Sequence, residues 1–246
     1  MNMPAFLGAA LAALALSMPA HAATVTVEAF DNATVQPSGP RSGSNGKAFL
    51  NIEGTSLGSF ASYGVARFDL AAAKGQFDAE FGVGGWRVDT LALLLTQSNA
   101  SFTADGTVGI RHTNADQASL LPGASALAWP IDGDFADLVS LGDYAFIELS
   151  TGTLERHALF ERGGVVHTGS GRLLEDVLAE SLITLVLIDI DPAVAATYAG
   201  YTNFTLAGPT LELTVSAVPV PAALPLMLSA LGVVPLLRRR RTVGAA

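Results

Sequence analysis

Outside the first twenty-odd residues the chain carries three histidines, His112, His157 and His167, and none of them stands at a spacing that would set two imidazoles on one metal. A serine nucleophile needs a tight elbow of the Gly-x-Ser-x-Gly kind. The nearest approach, Thr168-Gly169-Ser170-Gly171, lacks both the full motif and a strand ahead of it. Paired carboxylates could hydrolyse a glycosidic bond, but among 22 acidic residues chance pairs abound and spacing nominates none. With no cysteine in the chain, thiol catalysis and thiolate metal sites are excluded. No catalytic residue is therefore assigned.

Two acidic clusters have the oxygen chemistry of a calcium site. One is Asp132, Asp134 and Asp137, with Asp143 further on; the other is Asp189 and Asp191 with the carbonyls before Pro192. Neither follows the twelve-residue EF-hand order, and solvated turns account for both equally simply. Calcium is the one cofactor the sequence brings into consideration. Sugar rings stack on exposed flat aromatics, and Trp129, beside Pro130 in a turn-like stretch, is one candidate glycan contact. Tyr198 and Tyr201, flanking Gly200, are the others; Trp86 opens an apolar strand and is expected in the core.

The elements that must position these groups alternate with period two. TVTVEAF (24 to 30), AFLNIE (48 to 53), YGVARFDL (63 to 70), WRVDTLALLLT (86 to 96) and TVGIRH (107 to 112) are strand signals. Tyr144 to Leu149, Leu182 to Asp189, Phe204 to Leu206 and Thr210 to Val215 add further candidates, and the apolar run from Leu182 to Ile190 suits a central strand covered on both faces. Gly/Pro/Ser/Asn-rich stretches such as QPSGPRSGSNG (36 to 46) separate them. Helical spacing is confined to one turn at Leu70 to Lys74 and a segment from Gly171 to Glu180. The expected class is all-β, an antiparallel β-sandwich of jelly-roll type.

Both ends differ in character from this body. Ala5 to Leu16 is a short apolar core, and Ala20-His21-Ala22 offers the small residues that signal peptidase accepts, so residues 1 to 22 are expected to be a signal peptide. At the other end stand Pro219-Val220-Pro221, an apolar span from 222 to 237, and Arg238, Arg239, Arg240 and Arg241. From Val218 to Leu237 a helix would be long enough to cross about 30 Å of hydrocarbon. Arginines beside such a span hold that end in the cytoplasm. Pro225 and Pro235 make it a poor permanent anchor.

The order of proline motif, apolar span and arginine cluster resembles the PEP-CTERM sorting signal of Gram-negative bacteria, with Val220 where the family usually has glutamate. The resemblance covers about 218 to 246. It implies export, transient anchoring in the inner membrane, recognition by an exosortase-type membrane peptidase, and delivery to the cell surface or an exopolysaccharide matrix. The partners it implies are signal peptidase, the exosortase, the membrane, and exopolysaccharide or envelope components.

A domain of residues 23 to 217 lies between the two signals. It holds all 22 acidic residues and 9 of the 13 basic ones, for a formal charge of −13, which disfavours nucleic acid as a partner. Its first half, with a strand ending near Asp31, AFLNIE, then Arg67-Phe68-Asp69-Leu70 and the long strand WRVDTLALLL, resembles the DNRLRE-type β-sandwich domains of bacterial surface proteins. That resemblance implies a module of surface structures or carbohydrate without catalysis. Arg67 and Asp69 share one face of a strand and are expected to form a structural charge pair. The sequence thus points to an exported structural or adhesive protein, then to a polysaccharide-binding module with or without calcium, and last to an exported hydrolase.

Overall fold

The computed structural model describes residues 21–42, 44–99, 101–114, 138–179 and 181–218. Ala22–Ser216 forms one compact unit, so the proposed signal peptide up to Ala20 and the whole tail from Pro219 lie outside the described residues. Among the described residues no helix is long and apolar enough to cross a membrane.

The fold is mostly antiparallel β, and it is organised by its first strand. β1 (Ala22–Gln36) is 15 residues long and serves two walls. Its first half pairs with β11 (Thr210–Ala217), from Ala22 opposite Ser216 to Glu28 opposite Thr210. After a bulge between Ala29 and Asp31, its second half pairs with β4 (Tyr63–Asp69). A bulge bends a strand and sharpens its twist, which is what lets one strand pass from wall to wall. Beyond β11 come β5 (Trp86–Thr96) and β8 (Leu154–Glu161); beyond β4 come β9 (Leu182–Asp189), β6 (Gly106–Thr113) and β7 (Val139–Phe146), while β2 (Gly39–Pro40) folds back on β1. The result is a single sheet rolled until its edges, β7 and β8, almost meet.

That seam is tied by side chains. The Tyr144 ring of β7 lies over His157 of β8 with centroids 3.8 Å apart. Edges brought this close leave a foreign strand little room to pair along them. β9 sits between β4 and β6, and Ile183 to Leu187 are buried throughout, as the mostly apolar run predicts.

The interior is filled by the inward half of each strand, including Phe68, Leu91, Leu93, Leu95, Ile110, Leu185 and Leu213. A cysteine-free domain of this size is held by such burial, at about 25 cal/mol per Å² of apolar surface removed from water. Two helices close the roll. α2 (Ala71–Phe81) seats Ala73 and Phe77, with the Phe77 ring 5.2 Å from that of Trp86. It runs three turns where the sequence suggests one, because its alanines, Gly75 and Gln76 show little apolar contrast. α3 (Ser170–Ala179) seats Leu173 and Val177, as its spacing predicts. Ahead of both in the chain, α1 (Ser44–Ala48) is a short turn at the end of the Gly/Ser-rich stretch.

Two strands that alternation does not reveal are β8 and β10 (Ala195–Ala199). β10 pairs with β3 (Phe49–Glu53), forming a separate two-stranded ribbon. The ribbon lies across β4, where a Cβ on Gly64 would come within 2.8 Å of Leu50 Cδ1, so glycine permits the close approach. Phe204 to Leu206, expected as a strand, is a bend.

Candidate functional site

β3 alternates cleanly. Leu50 and Ile52 enter the core, while Phe49, Asn51 and Glu53 point to the ribbon's other face. Opposite Asn51 and Glu53 on β10 stand Thr197 and Ala195, whose small side chains leave a hollow. A cavity of about 610 Å³ opens there, within the roughly 300–1,000 Å³ typical of small-ligand sites.

Three other segments complete its wall. Arg41 arrives from the turn after β2, with its N–H bonded to Thr34 O at 2.8 Å. A 3-10 helix, Thr55–Phe60, brings Leu57 and Phe60, and is pinned by Thr55 N donating to Asp189 Oδ2 at 3.0 Å and Ser56 N to Pro192 O at 2.9 Å. The connection from β5 to β6 crosses over β10, bridging Ala104 to Ala195, and brings Asn99 and Phe102. Phe102 is 75% exposed and Phe60 63%, so both rings face solvent at the rim.

The floor is polar and buried. Asn51 Nδ2 donates to Glu53 Oε1 at 3.4 Å, which orients the amide and leaves Asn51 Oδ1 with no protein partner, although the residue is only 7% exposed. Ser62 Oγ lies 3.4 Å from Glu53 Oε2, and Arg41 Nη2 is 3.7 Å from the same oxygen. Burial pushes the Glu53 carboxyl above the usual 4.5, against the Arg41 charge and the hydrogen bonds from Asn51 and Ser62, which pull it down. The site therefore offers hydrogen-bond acceptors at its floor, phenyl faces at its mouth, and a carboxylate whose charge is offset by a guanidinium.

The residues singled out from sequence fall differently. Tyr198, expected on an exposed loop, is fully buried in β10; its hydroxyl lies 2.9 Å from that of Tyr144 and donates to Glu155 Oε2 at 3.2 Å. Strand pairing with Leu50 draws it inward, so it offers no face to a ligand. Tyr201 is half-buried against the core, and Lys47 Nζ donates to its hydroxyl at 3.0 Å. Trp129 lies outside the described residues, as do Asp132, Asp134 and Asp137.

Asp189 is engaged with the 3-10 helix, Asp191 Oδ1 accepts from Ala193 N at 2.9 Å, and Asp143 pairs with Arg111 at 2.8 Å. Among the described residues no three His, Asp or Glu gather as a metal site would require. Asp69 caps α2 through Ala71 N at 2.9 Å, while Arg67 lies over the Phe30 ring, 5.2 Å from its centroid. Trp86 is in the core, as expected, with Nε1 donating to Asp78 Oδ1 at 2.8 Å.

Ser170, His112 and His157 each make contacts within the fold. Ser170 Oγ donates to Leu159 O at 2.7 Å and accepts from His167 N at 2.9 Å. His112 Nε2 is 2.9 Å from Asp176 Oδ2, both wholly inside. His157 lies 3.2 Å from Glu155, which Gln97 also contacts. Burial pushes the Glu155 carboxyl up, but the nearby His157 together with the hydrogen bonds from Gln97 and Tyr198 outweighs it and holds it below the usual range.

The sequence does not reveal the cavity, because Phe60 and Phe102 stand as isolated apolar residues in connecting segments. Its trace in the sequence is β3, where Phe49, Asn51 and Glu53 fall on a single face. In comparison with known proteins, the chain matches no family model and no curated protein.

Proposed function

We propose that this is an exported, non-enzymatic protein of the bacterial envelope or extracellular matrix, structural or adhesive, with a jelly-roll-like body delivered by an N-terminal signal and a PEP-CTERM-like tail. The observation that supports this reading is the pairing of Ala23 with Val215. Both ends of the compact unit leave it side by side, so a cut after Ala22 would remove only the first residue of β1, and one beyond Val218 would leave β11 whole. Arg87 at the start of β5 reaches Ser216 beside these ends, whereas the far end of β5 meets the ribbon through Ser98 N donating to Thr197 O. At about 3.3 Å per residue the intervening strand measures roughly 33 Å, so the cavity lies at the opposite end of β5 from the termini of the compact unit.

Intact mass of the protein from its native host, in cell-bound and released fractions, tests this. The expected species begins at Ala23 and ends between Pro219 and Pro221. A membrane-bound species that retains Arg238 to Arg241 as its only form would make the tail a permanent anchor and overturn the sorting proposal.

A further inference from the structure

The ribbon cavity has the chemistry of a specific ligand. Asn51 Oδ1 is an acceptor held nine-tenths buried with no protein donor, and its orientation is set by the bond its amide nitrogen makes to Glu53. An unpaired buried acceptor costs about 1–3 kcal/mol, which a ligand hydroxyl or N–H would recover. Glu53 beside it is likewise an acceptor, so the floor selects donors. The Arg41 guanidinium 3.7 Å from Glu53 offsets the carboxylate, so neither a cationic nor an anionic ligand finds uncompensated charge to bind.

The mouth selects shape. Phe60 and Phe102 expose ring faces, whose electron-rich centres attract weakly positive C–H groups. A molecule with hydroxyl donors around its edge and C–H bonds across its face satisfies both floor and mouth, and a pyranose ring is built that way. The cavity is open to solvent along the rim formed by Leu57, Phe60 and Phe102, so a chain can continue past it.

We propose that this cavity is a binding site for a neutral glycan, seating the C–H face of one sugar ring on Phe60 and Phe102 while its hydroxyls donate to Asn51 Oδ1 and Glu53. The site gives the proposed exported body a molecular contact in place of the buried Tyr198. It belongs wholly to the Ala22–Ser216 unit, so its test and that of tail processing succeed or fail separately.

The experiment is isothermal titration of the full-length chain, held in a detergent without a sugar headgroup. The neutral probes are cellohexaose, mannohexaose, maltohexaose and chitohexaose in its fully N-acetylated form; an oligogalacturonate is the anionic probe. At least one neutral hexasaccharide should bind saturably, and the oligogalacturonate should not compete. Phe60→Ala, Phe102→Ala and Asn51→Ala should each weaken that binding about tenfold, the loss of one ring contact or one hydrogen bond. Phe204→Ala, which truncates a ring 95% exposed elsewhere, should leave it unchanged. The two rim phenylalanines are exposed, so their variants keep the test valid even if Asn51→Ala fails to fold. No binding across the neutral set, preference for the anionic probe, or binding that survives both rim substitutions would overturn the assignment.

Discussion

The contact between His112 of β6 and Asp176 of α3 is where a single substitution should speak most clearly about how this body is held. Nε2 and Oδ2 are 2.9 Å apart, the side chains are 0% and 4% exposed, and His112 Nδ1 has no protein partner. Asp176→Ala would leave the imidazole inside with neither nitrogen paired. Breaking a buried pair from one side costs about 3–5 kcal/mol, and the imidazole already carries one unpaired nitrogen, which sets the expectation near 3 kcal/mol. For a domain of this size that is a fall in Tm of about 6–12 °C. Asp176→Asn, which preserves the shape and one bond, should cost about 1 kcal/mol.

The decisive arm is the double variant. His112→Leu added to Asp176→Ala removes the stranded polar group, so the double should be more stable than Asp176→Ala alone. Urea unfolding followed by far-ultraviolet circular dichroism measures all of these. If Asp176→Ala costs less than about 1 kcal/mol, or if adding His112→Leu lowers stability further, the pair is not the buried tie described and α3 is held by Leu173 and Val177 alone.

Two further perturbations have defined signs. Glu53 has its carboxyl raised by burial, so folding favours its protonated form; that advantage is complete below the ordinary 4.5 and is lost as pH rises through the higher folded value. Glu53→Gln should therefore raise the urea midpoint at neutral pH and do so less in acid below 4.5, and an equal shift at both would refute the assignment. Tyr198→Phe removes the hydroxyl shared by Tyr144 and Glu155 at the β7–β8 seam and should cost about 1–3 kcal/mol at neutral pH. Glu155 is held low, so its stabilisation is present above the ordinary 4.5 and lost as pH falls through the lower folded value; the cost of Tyr198→Phe should shrink over that acid range. A cost independent of pH would place the loss in the Tyr144 bond alone.

Period-two alternation is a local property, written wherever a strand has one face in the core and one elsewhere. It makes β4, β5, β6 and β11 legible in the sequence, while β9 is legible from its mostly apolar run, and together they give the all-β class. The same holds for Leu50 and Ile52 opposing Phe49, Asn51 and Glu53. The composition of both ends was equally legible, since apolar runs, small residues and an arginine cluster act through their chemistry rather than through a partner. β10 was not, because Ala195–Ala199 has almost no apolar contrast and becomes a strand only by pairing with β3. Tyr198 shows the consequence: beside Gly200 it resembles an exposed loop aromatic, yet the register that sets it opposite Leu50 buries it.

The cavity depended on tertiary structure altogether. Arg41, Phe60 and Phe102 come from three separate connections, and each direction is set by a distant bond: Thr34 O for the first, Asp189 and Pro192 for the second, Ala195 for the third. Its depth comes from Ala195 and Thr197 standing across the ribbon from Glu53 and Asn51. The sequence by itself determined the type of strand and the chemistry of the ends, because those follow from neighbours along the chain. Which side chains share a hollow was decided by register and by how connections cross, because the distances that matter there are between residues the chain keeps far apart.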